Sequence, residues 1–353
     1  GKPAIDCGPA TNAGPAPPGS SCRRSFIRPG GCASNLQPRP TDLSLPFSHV
    51  FIDDMRSLQL SRCAAALAQC RATRTVICET MVGDTAPKTV NEAYEVQTSL
   101  QSILTASPII NVVGQKVGCT TAVMQEYLQI PHPCVGGIYD NALWRTTQWR
   151  AEKSIPHSID RKQWHKIGLE CELAVQLKTQ LGPDAVTREE AASAVGSVHA
   201  ALEIVDDRYE DFRAYKPTPL TWVADDFFHG GSVLGWPMKV DDAPLDPMLL
   251  DLLHGTMSVE GHVVGAGRGT DIIGGHPLEA LRWLASSEAA PNGLPAGWVV
   301  SLGSVCSTHW LSANESRVHV CFQLGNSSVS FAEKHADSDN GGLVTGTADI
   351  DFR

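Results

Sequence analysis

Acidic residues interrupt a stretch of this chain that is otherwise suited to burial, and this pattern constrains the fold more than any other. Residues 169–175 read Leu-Glu-Cys-Glu-Leu-Ala-Val. As a β-strand, the run places Glu170 and Glu172 on one face and Cys171 on the other, with the two carboxylates about 7 Å apart. Neighbouring carboxylates in an apolar strand repel each other and resist desolvation, and a hard divalent cation removes that conflict. The alternative is a half-exposed strand with two solvated glutamates.

A third acid stands in a second apolar run. Glu203 lies within Ala-Leu-Glu-Ile-Val at residues 201–205, shortly before Arg208. Three carboxylates from two strands form an oxygen ligand set that suits Mg²⁺ or Mn²⁺ and leaves positions open for water or substrate. The sequence therefore predicts that Glu203 completes a metal site with Glu170 and Glu172. The alternative is a strand-end acid paired with Arg208.

A lysine flanked by glycines follows a predicted strand at residues 109–113. Gly114 and Gly118 allow close approach of the backbone, and beside a metal Lys116 would bind an anionic substrate or move protons. The spacing differs from that of the phosphate-binding G-x-x-x-x-G-K-[ST] loop. The alternative is a solvated lysine. His276, at the start of a predicted helix, is interpreted as structural.

Capping motifs and periodicity predict a few helices in a chain dominated by short strands. The predicted helices are residues 54–70, a helix opened by the capping box of Thr89 and Glu92, a helix opened by Thr187 and Glu190 that runs to about Ala200, and a helix that begins at Pro277. The predicted strands are 109–113, 169–177, 201–205, 231–234, 257–264, 298–302 and 317–323. This pattern indicates an α+β fold with a helical part at 47–107, a β-rich domain at 108–332 and a C-terminal tail at 333–353.

Residues 1–46 differ from the rest of the chain, because they hold nine of its 23 prolines and few acidic residues. Such a segment cannot bury enough apolar surface to offset its chain entropy, so by itself it should be disordered. As an ordered extended arm it would need a surface, either of the same subunit, of a second copy in a homo-oligomer or of a larger protein assembly. The Gly1 start and the acidic-poor composition suggest a processed organellar protein on the mitochondrial matrix side, with the cytoplasm as the alternative.

Charge and apolar patterning exclude two classes of protein. The chain has 353 residues, of which 28 are basic and 38 acidic, and its net charge is −10. A dedicated nucleic-acid binder needs a basic face, and no stretch reaches the ~18 consecutive apolar residues of a membrane span. The 11 cysteines are scattered without a C-x-x-C pair, which suits a reducing compartment. We therefore expect neither a nucleic-acid partner nor a membrane span.

Further short motifs accompany the acidic residues and the lysine. In chain order they are Thr89-Val-x-Glu-Ala-Tyr-x-Val-Gln97, Gly114-x-Lys116-x-Gly118-x-Thr120, Glu170-x-Glu172, Glu203 with its following Val-Asp-Asp-Arg, Ala224-Asp225, Gly275-His276-Pro277-Leu278 and Gly303-Ser304. Together they resemble the fumarylacetoacetase C-terminal-like superfamily over about residues 50–332, and most closely its 2-keto-4-pentenoate hydratase and 4-oxalocrotonate decarboxylase branch. The Asn-Asp-x-x-Ala-Arg signature of the hydrolase branch is absent, which points away from C–C hydrolysis.

The resemblance implies a fold, a cofactor and a set of site residues. It implies the mixed β-roll of the superfamily with a small N-terminal helical part. The implied ligands of Mg²⁺ or Mn²⁺ are Glu170, Glu172 and Glu203. The implied substrate-binding residues are Gly118, Thr120 and Thr121, and the candidates for proton transfer or substrate hydrogen bonding are Lys116, Asp225 and Ser304. A small 2-keto acid would chelate the metal, which would stabilise an enolate as a Lewis acid.

The predicted function is that of a metal-dependent hydratase acting on 2-hydroxydienoates or related 2-keto acids. A 4-oxalocrotonate-type decarboxylase is an alternative, since it uses the same electron sink. The other alternative is a former enzyme that serves as a structural subunit of a mitochondrial complex. That alternative depends on the arm and on two departures from the family pattern, Asp226 and Leu302, of which Asp226 adds negative charge near a site for an anionic substrate.

Overall fold

The apolar runs of the sequence become strands of a larger and a smaller mixed sheet. The structure, a computed structural model, describes residues 47–145, 157–184, 186–235, 238–239, 246–324 and 343–353, so the predicted arm at 1–46 lies outside the described residues. The helices are α1 (Phe47–Thr73), α2 (Glu79–Val82), α3 (Val90–Leu104), α4 (Ala122–Leu128), α5 (Arg188–Ala194), α6 (Pro219–Ala224) and α7 (Pro277–Ala285). The strands are β1 (Val112–Gly118), β2 (Cys134–Tyr139), β3 (Leu143–Arg145), β4 (His157–Ile159), β5 (Ile167–Leu177), β6 (Val195–Asp206), β7 (His229–Leu234), β8 (Met238–Lys239), β9 (Leu253–Val259), β10 (His262–Arg268), β11 (Val299–Ser304), β12 (His309–Trp310), β13 (Arg317–Leu324) and β14 (Leu343–Phe352).

The larger sheet carries the two acidic strands at its centre. Its order is β2-β1-β11-β5-β6-β7-β3, with β12 paired to β5 and β8 paired to β6. The smaller sheet has the order β10-β9-β13-β14-β4. Strands β1 and β11 run parallel, as do β3 and β7, whereas β5 is antiparallel to both β11 and β6. The predicted α+β class with mixed sheets is confirmed.

The two faces of β5 have opposite characters. Leu173 of β5 is fully buried in one apolar core with Val320 of β13 and Ile350 of β14, so this face is covered by the smaller sheet. Burying a side chain the size of leucine contributes about 1.5–3 kcal/mol. Glu170 and Glu172 lie on the opposite face, because side chains alternate along a strand. The alternation expected from the sequence is present.

Side-chain caps fix the first turns of α5 and α3. The Thr187 hydroxyl accepts a hydrogen bond from the Glu190 N–H at 3.1 Å, and the Glu190 carboxylate accepts one from the Thr187 N–H at 2.8 Å, so this predicted capping box is confirmed. At α3 only half of the predicted box forms. Thr89 Oγ1 accepts from the Glu92 N–H at 3.2 Å, but the Glu92 carboxylate is bound by Arg56 instead.

Three predicted boundaries differ from the structure. The helix α5 ends at Ala194 rather than near Ala200, because β6 pairs with β5 along almost its whole length. Strand β1 begins at Val112 and continues past Gly114, where an added Cβ would lie 2.0 Å from the Val299 carbonyl oxygen of β11. This glycine therefore permits close strand approach instead of ending the strand.

The third difference concerns residues 257–264, which were predicted as a single strand. They form a hairpin in which Val259 of β9 pairs with His262 of β10. Glu260 and Gly261 make the turn with φ of +50° and +81°. Positive φ at both central residues is typical of the tight two-residue turns that join antiparallel strands.

The helical part packs as a second apolar core. Leu67 of α1, Leu100 of α3 and Trp222 of α6 are fully buried in one cluster with Phe227 and Phe228. Phe47–Arg353 form one compact unit. Among the described helices, none combines the length and the apolar character that crossing a membrane requires.

The end of the chain is part of the smaller sheet. Strand β14 pairs with β13 on one side and with β4 on the other, and Ile350 and Phe352 are buried. The sequence had assigned these residues to a tail outside the β-rich domain. The placement follows from their alternating apolar pattern, Ala348, Ile350 and Phe352, which buries one face of the strand.

Candidate metal centre

Three carboxylates meet on one face of the larger sheet. The register of β5 and β6 sets Glu170 directly opposite Glu203, and Glu172 lies two residues further along β5. One oxygen of each of these three side chains lies within 4.8 Å of the others. Glu172 and Glu203 are fully buried and Glu170 is partly exposed. The strand-end pairing of Glu203 with Arg208 considered from the sequence is not what the structure shows, because Arg208 pairs with Asp206 and Asp225 instead.

Hydroxyl groups from neighbouring segments orient two of these carboxylates. Ser301 of β11 donates a hydrogen bond to Glu172 Oε2, and Thr308 donates one to Glu170 Oε1. The sequence reasoning missed both residues. Ser301 is detectable in principle, because it alternates with the buried Leu302 along β11, whereas Thr308 comes next to Glu170 only through the pairing of β12 with β5.

Glu203 is held by two nitrogen donors on the same oxygen. Lys116 Nζ lies 3.1 Å from Glu203 Oε1, and His229 Nδ1 lies 3.0 Å from it. Burial alone would raise the pKa of Glu203, but the charge of Lys116 and the hydrogen bond from His229 hold it at about 2. This carboxylate is therefore ionised at neutral pH.

The other two glutamates are shifted in the opposite direction. Burial, followed by the negative charge of Glu203, raises the pKa of Glu170 to about 7. The same two causes, with the charge of Glu170 added, hold the pKa of Glu172 well above its usual range. The three acids therefore resist carrying three negative charges together unless a cation joins them.

Two carboxylate oxygens of the cluster provide a test of whether a cation fits. Glu172 Oε1 and Glu203 Oε2 are buried, and neither has a hydrogen-bond partner among the residues that the structure describes. Buried polar atoms are almost always bonded, so orphaned oxygens need an explanation. A divalent cation with oxygen ligands satisfies both at once and also neutralises the cluster. The donor set therefore fits Mg²⁺ or Mn²⁺.

Lys116 lies at the edge of this cluster and is itself buried. Burial alone would lower the pKa of Lys116, but the charges of Glu203, Glu170 and Glu172 raise it, so the side chain stays an ammonium. Its Nζ also lies 4.8 Å from the centre of the Phe227 ring. The solvated alternative does not hold, because only 2% of Lys116 is exposed.

Glycines permit close packing around Lys116. An added Cβ on Gly118 would lie 2.7 Å from the Phe227 ring and 3.1 Å from Lys116 Nζ, and one on Gly136 would lie 3.2 Å from Lys116 Cε. Gly303 has a φ of +103°, and its Cβ would meet Thr120 at 2.7 Å. Side chains at these positions would collide with atoms already packed there, so these glycines have a steric reason.

The threonines and the serine of the predicted site have local partners. Thr121 caps α4 by accepting a hydrogen bond from the Met124 N–H at 3.3 Å. Thr120 packs against Gly303. Ser304 lies opposite Glu172 in the register of β11 and β5, and its hydroxyl donates to the Cys306 carbonyl at 2.8 Å. Ser304 is thus next to the cluster through its pairing with Glu172, Thr120 lies next to Gly303, and the Thr121 hydroxyl caps the helix.

Asp225 has partners other than the cluster. Its Oδ1 accepts from Arg71 Nε at 2.7 Å, its Oδ2 lies 2.8 Å from Arg208 Nε, and the Tyr209 hydroxyl donates to Oδ2 at 3.1 Å. Both oxygens are therefore bound by guanidinium groups in the buried layer under α1. The structure does not bring Asp225 together with Lys116 and the three glutamates.

Asp226 does not add free negative charge to the site, which corrects the expectation from the sequence. Its carboxylate lies 3.1 Å from Arg71 Nη2 and accepts hydrogen bonds from the Gly137 N–H, the Gln101 amide and the Tyr139 hydroxyl. Leu302, the second departure, is fully buried in the apolar core between the sheets. His276, by contrast, is structural as expected, because it caps α7.

Replacing Asp226 with asparagine should destabilise the protein by about 3 kcal/mol at pH 7, because Arg71 loses part of its buried counter-charge. Burial alone would raise the pKa of Asp226, but Arg71 and the Gly137 N–H lower it. A lowered pKa in the folded state stabilises the fold fully above the unfolded value of about 3.9, and this stabilisation is lost as the pH falls through the folded pKa. Urea unfolding should therefore separate the variant from the wild type at pH 7, and the difference should begin to shrink below about pH 4 and disappear only below the folded pKa of Asp226.

The control for this prediction is Asp84→Asn, whose side chain is exposed. Mn²⁺ affinity should be the same in the wild type and in Asp226→Asn, since Asp226 faces Arg71. A marked change in affinity with an unchanged unfolding midpoint would contradict this placement of Asp226.

A cleft of about 280 Å³ has His229 in its wall, but its lining contains none of the three glutamates. Its other walls include Trp164, Tyr139, Arg71 and Arg208. The sequence analysis assigned no role to His229, and no local motif marks it.

Comparison with known proteins places this architecture among enzymes. No family model matches the chain. The chain is 31% identical over 249 residues to the 2-hydroxyhexa-2,4-dienoate hydratase of Comamonas testosteroni, which covers 69% of this chain and 87% of that enzyme. It is 33% identical over 198 residues to the 2-keto-4-pentenoate hydratase of Paraburkholderia xenovorans, with 56% of this chain and 66% of that enzyme covered.

A solved structure has the same fold. The 4-oxalocrotonate decarboxylase from Pseudomonas putida G7, complexed with magnesium and adipate, aligns with a TM-score of 0.67 and 20% identity. The alignment covers 84% of this chain and 97% of that one. The architecture expected from the motifs is thereby confirmed for the part of the chain that aligns.

Proposed function

Because this chain belongs to the 2-keto-4-pentenoate hydratase and 4-oxalocrotonate decarboxylase branch of the fumarylacetoacetase C-terminal-like superfamily, we propose that it is a divalent-metal-dependent lyase of the hydratase type. Its substrates would be small 2-keto acids in their 2-hydroxydienoate form. Relatives that are hydratases support the reaction type. A relative 26% identical to this chain is a 4-oxalocrotonate decarboxylase, which makes decarboxylation the alternative.

The observation that supports this proposal most directly is the pair of orphaned, buried oxygens on Glu172 and Glu203. With Glu170, these residues would hold Mg²⁺ or Mn²⁺. When bound, the cation supplies Lewis-acid stabilisation for negative charge that develops on the C2 oxygen of a 2-keto acid. Both hydration and decarboxylation need that stabilisation.

Lys116 would bind the anionic substrate rather than accept a proton. Its pKa is raised, so it carries a positive charge and offers N–H donors at the pH of the cell. In a buried site, where the dielectric is low, one fixed ammonium attracts a carboxylate strongly.

Three other predicted residues take different parts in this proposal. Ser304, which pairs with Glu172, and Thr120, which packs against Gly303, would line the substrate space. Asp225 would support the site through Arg71 and Arg208 instead of transferring protons, because guanidinium groups occupy both of its oxygens. The mitochondrial location and the role as a complex subunit stay predictions from the sequence, since the arm lies outside the described residues.

The test is a direct assay of both reactions on the purified protein. With Mn²⁺ or Mg²⁺ we expect loss of the dienol absorbance of 2-hydroxyhexa-2,4-dienoate, no loss after EDTA, and recovery when metal is added back. Release of CO₂ from 4-oxalocrotonate, without hydration of the dienoate, would identify the decarboxylase alternative. The double variant Glu170→Gln/Glu172→Gln is the control for trace catalysts.

Metal binding is measured in the same preparation. Mn²⁺ titration by calorimetry should show binding that oxalate, a mimic of a 2-keto acid, strengthens. A folded wild-type protein that binds no Mn²⁺ would rule out this function for the chain.

A further inference from the structure

His229 is a fully buried histidine that touches the carboxylate cluster. Only 2% of its side chain is exposed, and its Nδ1 lies 3.0 Å from Glu203 Oε1. An ionised carboxylate can only accept hydrogen bonds, so Nδ1 is the nitrogen that carries the proton in this contact. The other nitrogen, Nε2, is buried without a hydrogen-bond partner among the described residues. The Glu203 contact is thus the polar interaction that fixes the ring.

A bulge in the sheet turns His229 toward Glu203. Ser232 of β7 pairs with Glu203, and Gly231 pairs with Ile204, but His229 rather than Gly230 pairs with Val205. Residues three apart on a regular strand point to opposite faces, but the bulge takes up the extra residue Gly230, so His229 and Ser232 share a face. Bulges characteristically re-aim a side chain in this way.

The backbone of His229 is also anchored. Arg208 Nη2 donates to the His229 carbonyl oxygen at 2.7 Å, and Arg208 Nε in turn lies 2.8 Å from Asp225 Oδ2. The imidazole is therefore held at its backbone by a buried ion-pair network and at its ring by Glu203. This leaves the ring little freedom to turn away.

The two oxygens of the Glu203 carboxylate differ in their partners. Lys116 and His229 both bind Oε1, while Oε2 has no hydrogen-bond partner among the described residues. A carboxylate fixed through one oxygen presents the other in a set direction. We infer that His229 is a positioning residue that locks Glu203 through Oε1 so that Oε2 is aimed at the cation held with Glu170 and Glu172.

This role rests on the proposed metal centre, and it goes beyond the ligands themselves. Residues that hydrogen-bond a metal ligand typically change metal affinity about 10–100-fold when they are replaced. Lys116 alone cannot provide the same orientation, because its flexible stem carries three rotatable donors, whereas the imidazole ring is rigid.

The experiment compares three variants of the full chain at His229. They separate the effect of the hydrogen-bond donor from the effect of the shape of the ring. Asparagine places an amide N–H close to the position of Nδ1, glutamine places it near Nε2, and leucine has no donor. We expect His229→Asn to keep Mn²⁺ affinity within about 3-fold of the wild type, and His229→Gln and His229→Leu to lose about 10–100-fold. Circular dichroism and thermal melting verify that each variant is folded.

Equal affinities in all the variants would overturn the inference, and so would equal losses that asparagine does not rescue. In the second case His229 only fills space. The Mn²⁺ EPR signal gives a second readout, because a merely structural substitution would leave its line shape unchanged, whereas a reoriented Glu203 would alter it.

A further experiment is done on the metal-free protein. Its result separates this inference from the proposed function. In the metal-free protein, His229→Leu should lower the urea midpoint, and the shift should fall at least twofold in the background of Glu203→Gln. Equal shifts in both backgrounds would show that the two side chains are not coupled, whatever the metal-binding result. A wild type that binds no Mn²⁺ but shows this coupling would refute both the proposed function and the positioning of a metal ligand.

Discussion

Replacing Glu172 with glutamine should abolish Mn²⁺ binding and at the same time make the metal-free protein more stable. The loss of affinity should be on the order of 100-fold or more, since it removes a ligand rather than one of its supports. In the metal-free protein, glutamine removes a buried group that resists ionisation and brings an amide donor to orphaned acceptors such as Glu203 Oε2. One new buried hydrogen bond is worth about 0.5–1.5 kcal/mol, which is the expected gain.

The stability of the metal-free protein should also depend on pH, because the buried carboxyl groups resist being ionised together. The pKa of Glu170 is raised to about 7, so between the unfolded value of about 4.3 and pH 7 the folded state binds more protons than the unfolded one. The contribution of Glu170 to stability therefore falls as the pH rises through this window. Glu203 opposes this trend only at the acidic end, because its folded pKa of about 2 lies below its unfolded value, and above about pH 5 it is ionised in both states. Saturating Mn²⁺ should flatten the slope.

The measurements are Mn²⁺ calorimetry and urea unfolding with and without EDTA. The control is Glu95→Gln, on an exposed position of α3, which should change neither quantity. A Glu172→Gln protein that binds Mn²⁺ normally would show that the cluster is not the metal site. One that is less stable than the wild type without metal would show that the orphaned oxygens have partners.

Replacing Lys116 with methionine should have the opposite effects on metal-free stability and on Mn²⁺ binding. Catalysis should fall by about 10²–10³-fold, the range for removal of one fixed donor that stabilises negative charge on the reacting substrate. The metal-free protein should lose about 3–5 kcal/mol, because Glu203 keeps its buried charge without its ammonium partner. Mn²⁺ should bind at least as tightly as before, since a positive charge next to the cation has been removed.

The same calorimetry and unfolding experiments apply, together with the dienoate assay. Lys88→Met, at an exposed position, is the matched control. Weaker Mn²⁺ binding in Lys116→Met would mean that the lysine supports the metal ligands more than it repels the metal. Unchanged activity would exclude it from the substrate site.

The sequence predicted the parts of the centre that depend on strand alternation. Glu170, Glu172 and Glu203 share a face because period-two patterning fixes which side each residue takes. Ser301 obeys the same rule and was overlooked, since a serine in a strand carries no sign of its partner. Thr308 is different, because only the pairing of β12 with β5 brings it to Glu170.

Asp225 shows why a sequence motif does not determine the direction in which a side chain points. It follows α6 in a segment where Asp226, Phe227 and Phe228 all have positive φ, at 52°, 44° and 65°. L-residues rarely adopt this conformation, and no pattern in this stretch signals it. The turn directs both aspartates to Arg71 and sets the Phe227 ring against Lys116. Adjacency in the chain therefore did not mean adjacency in the site.

The extension of β6 back to Val195 was missed for a related reason. Residues 195–200 directly follow a well-capped helix, and the cap by itself does not indicate where that helix ends. Pairing with β5 on one side, and with β8 at Ser197 and Val198 on the other, makes these residues part of the sheet. Local propensity is a weak guide at the centre of a large sheet.

The opposite faces of β5 also have a consequence for how the sheet assembles. Glu170 stands across from Glu203, with Leu169 and Cys171 on the other side. If either strand slipped by one residue during pairing, its carboxylates would enter the apolar layer and its leucines would take their place. Such a slip is far too costly to persist. The acids therefore disfavour any shifted register of the two strands. The ion can be captured only after the strands have aligned correctly.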